Sequence, residues 1–124
     1  MQQIHWPAIL QFDQDDELMY LANQQDWLSF ICANQYNVCF QDKLIDSSGS
    51  IFLINKPLNS KACAEQNVAQ LPNLVKQAQP ISLLQMLSIV RHYGQFQGHC
   101  CSAKIMFTSI EQGINTVAEL EQLY

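Results

Sequence analysis

The hydrophobic pattern of this chain changes its period after Pro57, and this change restricts the possible folds more than any other feature of the sequence. Before it, short apolar segments alternate with turn-forming clusters of Asp, Asn, Ser and Gly. After it, apolar residues recur at the spacing of one helix face. Strands followed by helices predict an α+β fold, in which the helices are segregated from an antiparallel sheet.

The first half of the chain predicts an antiparallel β meander of four to five strands. The clearest hairpin has its turn at residues 46–49, where Gly49 supplies the positive φ that a short loop needs. Residues 27–31 are rich in the aromatic and β-branched side chains that are typical of strands. Residues 33–42 fit either a loop or a strand. We predict strands over residues 8–12, 17–22, 27–31, 43–45 and 51–54.

The second half predicts three to four helices. The clearest one follows Pro80, because Ser82 and Gln85 have the spacing of a capping box and Gly94 is a suitable C-terminal stop. Pro72 ends an earlier helix, since a residue before proline avoids the α conformation. We predict the remaining helices over residues 60–71, 101–113 and 116–123.

The predicted helices that follow Pro80 and Cys101 each carry one apolar stripe, and these stripes indicate how the two helices pack. Neither of the two would be stable alone in water at this length, so each stripe must be buried. The hairpin strands also carry more apolar side chains than a solvent-facing sheet would keep. We therefore predict one domain over residues 1–124, with the helices packed on one sheet face that includes Phe52 and Ile54. The stripes are Leu83, Met86, Leu87 and Val90 on the first helix, and Met106, Phe107 and Ile110 on the second.

Charge and composition argue against several kinds of partner. The chain has six basic and eleven acidic residues, a net charge of −5, and no two basic residues are neighbours. Binding to nucleic acids or to anionic lipid membranes requires clustered Lys and Arg, so we predict neither as a partner. No apolar run approaches the roughly 20 residues of a membrane helix. The N-terminus has no secretory pattern, and the five cysteines are an odd number, so we expect reduced thiols in the cytoplasm.

The sequence has its highest local density of reactive side chains at residues 92–101. His92, His99, Cys100 and Cys101 are all residue types that bind zinc, but adjacent cysteines project in different directions, so a metal site is not favoured. Cys100 or Cys101 at a helix N-terminus would have a lowered thiol pKa, and His92 or His99 could act as the base. A thiol-based enzyme or redox protein is therefore the alternative function.

The sequence shows no nucleotide-binding, nucleophile-elbow or zinc-protease motif, and we predict no cofactor and no metal. Arg91, the only arginine, is expected to complement the dipole at the end of its helix. The preferred interpretation is a small cytoplasmic protein-binding or regulatory module without enzymatic activity. Its partner would be another protein, and the module itself would be a monomer or homodimer.

Overall fold

The structure is a computed structural model that describes residues 3–12, 17–33, 42–54, 74–99 and 101–122. Its strands are Ala8–Gln11 (β1), Leu18–Leu21 (β2), Lys43–Asp46 (β3), Ile51–Ile54 (β4) and Leu74–Lys76 (β5). Its helices are Gln24–Ala33 (α1), Leu83–Phe96 (α2) and Ile110–Gln122 (α3), with a 3-10 helix at Ser102–Lys104. The predicted α+β class is confirmed.

The five described strands form one antiparallel sheet in the order β2-β1-β3-β4-β5. Ile9 of β1 lies opposite Tyr20 of β2 on one side and opposite Ile45 of β3 on the other. The sheet is therefore not the predicted meander, because the connection from β2 to β3 passes β1. The strand β5, which the sequence did not predict, pairs with β4 and is an edge strand.

Helices cover both faces of this sheet, so the prediction of a single helical face is wrong. Successive side chains of a strand point to opposite faces. Ile9 packs with α2 and α3, whereas Ala8 and Leu10 pack with Trp27 and Ile31 of α1. We call the first side the helix-pair face and the second the α1 face. The prediction fails because β1 is apolar on both faces and therefore needs a cover on each.

Residues 27–31 are helical in α1 and do not form the predicted strand. The Asn23 Oδ1 atom accepts a hydrogen bond from the Asp26 amide at 2.9 Å, and the Asn23 carbonyl accepts one from the Trp27 amide at 3.3 Å. These bonds satisfy amides at the start of the helix. Burial of Trp27 and Ile31, four residues apart, outweighs the strand propensity of this segment.

The helix predicted after Pro80 is confirmed as α2. The Ser82 side chain accepts a hydrogen bond from the Gln85 amide at 3.1 Å, and the Gln85 side chain accepts one from the Ser82 amide at 2.9 Å. Both halves of the capping box are therefore present. Gly94 does not end the helix, which continues two residues further to Phe96. The missing side chain of Gly94 instead leaves room for Ser102 and Ile105.

The helix predicted over residues 101–113 is wrong, whereas the one predicted over residues 116–123 is part of a longer helix that begins six residues earlier. Only a 3-10 helix forms after Cys101, and α3 begins at Ile110. Gly113 is inside α3, where its missing side chain leaves room for the ring of Phe107. Thr116 is not a cap, because its hydroxyl donates to the Gln112 carbonyl at 2.8 Å within the helix.

The packing predicted for the two apolar stripes is confirmed in part. Met86, Leu87 and Val90 are buried in one cluster with Phe107. Met106, by contrast, is exposed. Phe52 and Ile54 lie on the α1 face and are not beneath these helices, which corrects their predicted position. The helix predicted over residues 60–71 lies outside the described residues.

Candidate functional site

The structure describes three of the four residues of the predicted thiol site, and these three differ in exposure. His92 is exposed on α2, and its Nδ1 atom is 3.5 Å from the Ser88 hydroxyl. His99 is half-buried after the helix, and its amide donates to the Gly94 carbonyl at 2.9 Å. Cys101 is exposed, whereas Cys100 lies outside the described residues.

The helix dipole that was expected to activate a thiol is much smaller than predicted. The sequence placed Cys100 and Cys101 at the start of a helix of about three turns, whereas the structure has a three-residue 3-10 helix there. A macrodipole requires many aligned peptide units, so this short segment cannot supply a comparable effect. Within the described part of the chain, no group of three or more His, Cys, Asp or Glu side chains could hold a metal ion.

Arg91 joins the outward side of α2 to the segment that follows the 3-10 helix. Its Nε atom donates to the Ile105 carbonyl at 2.9 Å, and its Nη2 atom donates to the Met106 sulfur at 2.9 Å. Arg91 therefore binds a neighbouring segment, which corrects its predicted role at the end of its own helix. The two bonds hold the guanidinium in one orientation at the surface.

Two large apolar side chains on this part of the protein are directed to solvent. Leu84 is 78% exposed and Met106 is 71% exposed. Leu84 and Arg91 are seven residues apart on α2, which corresponds to about two turns and places both on one side of the helix. Ser88 lies between them and is exposed. We call this set the Arg91 surface: Leu84, Ser88, Arg91 and Met106.

Among the described residues, the other large apolar side chains that are exposed lie away from the Arg91 surface. Phe96 is also exposed, at 54%, but it is twelve residues after Leu84 and about 120° around the helix from it. The exposed Val75 is on the edge strand β5. Leu84 was not identified from the sequence as a surface residue of interest. The available signal was that Leu84 is a large apolar residue outside the predicted buried stripe of α2. Met106 was assigned to the core from the sequence, and that assignment is wrong.

A second polar cluster lies where α2 and α3 meet β2. Burial raises the pKa of Tyr93 to about 12, the charge of Glu121 adds to this rise, and the hydrogen bond from the Gln97 side chain opposes it. Burial also raises the pKa of Glu121, whose carboxylate accepts a hydrogen bond from the Tyr20 amide at 3.0 Å. The Tyr93 phenol therefore remains protonated at neutral pH.

A carboxylate also covers the amide of the residue that directly follows β2. The Ala22 amide donates to the Asp26 Oδ2 atom at 3.0 Å, just as the Tyr20 amide donates to Glu121. Asp26 belongs to α1 and Glu121 to α3, so helices on both faces contribute one carboxylate each to this edge. These hydrogen bonds give both carboxylates a structural role.

The buried Asp46 carboxylate is also explained by the fold. Its Oδ1 atom accepts from the amides of Ser48 and Ser50, each at 3.0 Å, and from the Ser48 hydroxyl at 2.6 Å. Its Oδ2 atom accepts from the His5 amide at 3.0 Å. These bonds shape the β3–β4 turn and hold the N-terminal segment against it, so this side chain is saturated and does not indicate a catalytic group.

Over the residues that the structure describes, the fold is that of an α+β protein with α1 on one face of an antiparallel sheet and the pair α2 and α3 on the other. Within the described residues, no helix is both long enough and apolar enough to cross a membrane. The chain belongs to the family DUF4144, described as "protein structure with unknown function", whose model matches residues 6–117.

The chain is also similar to a solved structure, an NMR structure of a protein from Shewanella amazonensis. The two share 26% sequence identity with a TM-score of 0.64, over 97% of this chain and 92% of the other. The similarity therefore extends over nearly the whole of both chains. No curated protein shows significant sequence similarity to this chain.

Proposed function

We propose that this protein is a cytoplasmic, single-domain binding module that has no enzymatic activity and contacts another protein through the Arg91 surface. The observation that carries the proposal is the exposure of Leu84 and Met106 near a guanidinium held by two hydrogen bonds. Isolated exposed apolar residues are normal on protein surfaces, but Met106 contacts this fixed arginine and Leu84 lies on the same side of α2.

The chemistry of these residues suits a protein interface. Arg and Met are enriched at interfaces relative to the rest of a protein surface, and binding energy concentrates where such anchors are shielded from water. Because Arg91 is already held in place, less side-chain entropy would be lost when a partner binds. Leu84 and Met106 would supply apolar area around it.

The thiol alternative has weaker support. The helix expected after Cys101 is a short 3-10 helix, and Cys101 is exposed rather than enclosed. His92 makes its hydrogen bond with Ser88. The family description and the structural relative add nothing in favour of redox chemistry.

Quantitative affinity capture from a native cytosolic extract tests the proposal. We compare the wild-type protein with a Leu84→Ser, Met106→Ser double variant and with Phe96→Ser, which removes a similar exposed apolar side chain elsewhere on α2. We expect the double variant to lose proteins that the wild type and Phe96→Ser both retain. Unchanged capture by a folded double variant would contradict the proposal, and circular dichroism of each variant verifies the fold.

A further inference from the structure

We infer that the occupant of the Arg91 surface is an acidic amphipathic helix of a partner protein, which places a carboxylate on the Arg91 guanidinium and apolar side chains on Leu84 and Met106. This inference rests on the proposed function and specifies the chemistry of the partner. Each part follows from a property of the described residues.

The first property is the set of donors that Arg91 still has available. A guanidinium carries five N–H donors, and two are used by the Ile105 carbonyl and the Met106 sulfur. No described carboxylate pairs with Arg91. The edge formed by Nη1 and Nη2 keeps a donor on each nitrogen, and two parallel donors match the two oxygens of a carboxylate.

The second property is the local charge of this surface. Lys104 precedes Ile105, whose carbonyl accepts a hydrogen bond from Arg91, so a second basic residue is adjacent in sequence to this contact. The chain as a whole has a net charge of −5, which repels a polyanion. An arginine near apolar side chains therefore suits a protein segment with a single local carboxylate better than a nucleic acid.

The third property is the shape of α2 at this place. Leu84, Ser88 and Arg91 have the spacing i, i+4 and i+7, which forms a ridge along one side of a helix. The ridge is about 10 Å long, and the small side chain of Ser88 leaves a gap between its two large members. A partner helix packs on such a ridge with its own side chains in the gap.

Contact with this surface would also strengthen the ion pair. Apolar groups near Arg91 would exclude water when a partner covers them, and the attraction between opposite charges increases as the local dielectric falls. We therefore expect the carboxylate to contribute at least about a tenfold difference in affinity. Added salt should reduce this contribution only slightly, because a covered ion pair is screened much less than an exposed one.

The test uses a synthetic helical peptide of about 16 residues, a length at which helicity in water becomes appreciable. One face carries two leucines and a glutamate at the spacing of Leu84, Ser88 and Arg91, and a matched control peptide has glutamine in place of the glutamate. Binding is followed through amide shifts of the ¹⁵N-labelled protein. We expect shifts at Ser88, Arg91 and Met106, and binding at least about tenfold tighter for the glutamate peptide.

Two variants complete the test. Arg91→Gln should abolish the difference in affinity between the two peptides. Leu84→Ser should weaken the binding of both peptides, because Leu84 would contact the leucines that they share. The Leu84 side chain is exposed and contributes little to the core, so this variant should remain folded. If both peptides bind this surface equally and both depend on Leu84, the inferred carboxylate contact is wrong but the proposed function survives.

Two further results would overturn the inference. One is the absence of shifts at the Arg91 surface with either peptide, in which case the capture experiment still decides the proposed function independently. The other is a concentration-dependent shift of the same amides without peptide, which would show that a second copy of the chain occupies this surface.

Discussion

Gly113 shows how one missing side chain determines the position of a helix. A Cβ atom built at this position would lie 2.7 Å from Phe107 Cε1, 2.8 Å from Phe107 Cζ and 3.0 Å from Met86 Cγ. The ring and the methionine are both buried, so neither can move aside easily. The close approach of α3 to Phe107 and α2 therefore depends on glycine.

We predict that Gly113→Ala destabilises the protein. Alanine favours a helix by about 1 kcal/mol over glycine, but overpacking a buried site costs about 1–3 kcal/mol. The expected net loss is up to about 2 kcal/mol in the free energy of unfolding, measured in urea. Asn115→Ala, at an exposed position of the same helix, is the control and should change stability little. An equally or more stable Gly113→Ala variant would contradict the packing of Phe107 against α3.

Glu121 provides a prediction about pH. Its pKa is raised above the usual 4.5, so protonation favours the folded state. This stabilisation is complete below the unfolded pKa and is lost as the pH rises through the folded pKa. Glu121→Gln should therefore be more stable than the wild type at pH 7, and the difference should disappear as the pH falls towards 4.5. The amide oxygen of glutamine can still accept from Tyr20.

Urea unfolding of both proteins at several pH values checks this prediction. Glu119→Gln, which changes an exposed carboxylate of the same helix, controls for the general effect of removing one negative charge. If the wild type were the more stable protein at pH 7, the hydrogen bond from Tyr20 would outweigh the cost of burying the charge.

At the scale of elements, two leucines of α2 distinguish the contribution of burial to stability from that of helix propensity. Leu87 is 7% exposed, whereas Leu84 is 78% exposed. Leu87→Ala should cost about 2–5 kcal/mol, the usual range for a large-to-small change in a core. Leu84→Ala should change stability by less than about 0.5 kcal/mol, because alanine and leucine both favour helices. Equal losses measured in urea would mean that the orientation of α2 is wrong.

The elements that the sequence predicted well are those with local signals. The capping box of Ser82 and Gln85 lies within one helical turn, so α2 could be located without knowledge of the rest of the chain. The β3–β4 hairpin likewise depends on the turn that contains Gly49, whose φ is +90°. Both features act between residues that are near each other in sequence.

The misassigned elements depend on distant contacts. Trp27 and Ile31 have strand propensity, which their burial against the α1 face of the sheet outweighs. A local signal for α1 also exists in the spacing of Asn23 and Asp26, but Asn and Asp are equally typical of turns. Similarly, Gly113 looks like a helix stop until the ring of Phe107 is placed beside it.

At the scale of the molecule, the arrangement of helices about the sheet could not be predicted from the strand pattern. Ile9 and Leu10 are both apolar, so the alternation in β1 indicates two buried faces without indicating which helix covers either one. The Arg91 surface was also beyond sequence reasoning. It depends on the contact between Arg91 and Ile105, which joins residues fourteen positions apart.

The size of the core predicts that the protein needs neither a disulfide nor a metal for stability. Buried side chains on both faces of the sheet form two hydrophobic clusters. Thermal melts with and without reductant and chelator should agree within about 2 °C, a difference that corresponds to less than about 1 kcal/mol for a chain of this size. A lower melting temperature with reductant alone would indicate a disulfide, and with chelator alone a metal.

The carboxylates beside β2 have a consequence for behaviour at high protein concentration. A sheet can recruit a strand from another chain only where its edge still offers amide protons. The amides of Tyr20 and Ala22 are already bound to Glu121 and Asp26, so an incoming strand would have to displace two charged groups. Stacking of chains into fibrils is therefore opposed on this side, and the same negative charges would repel one another if two such edges met.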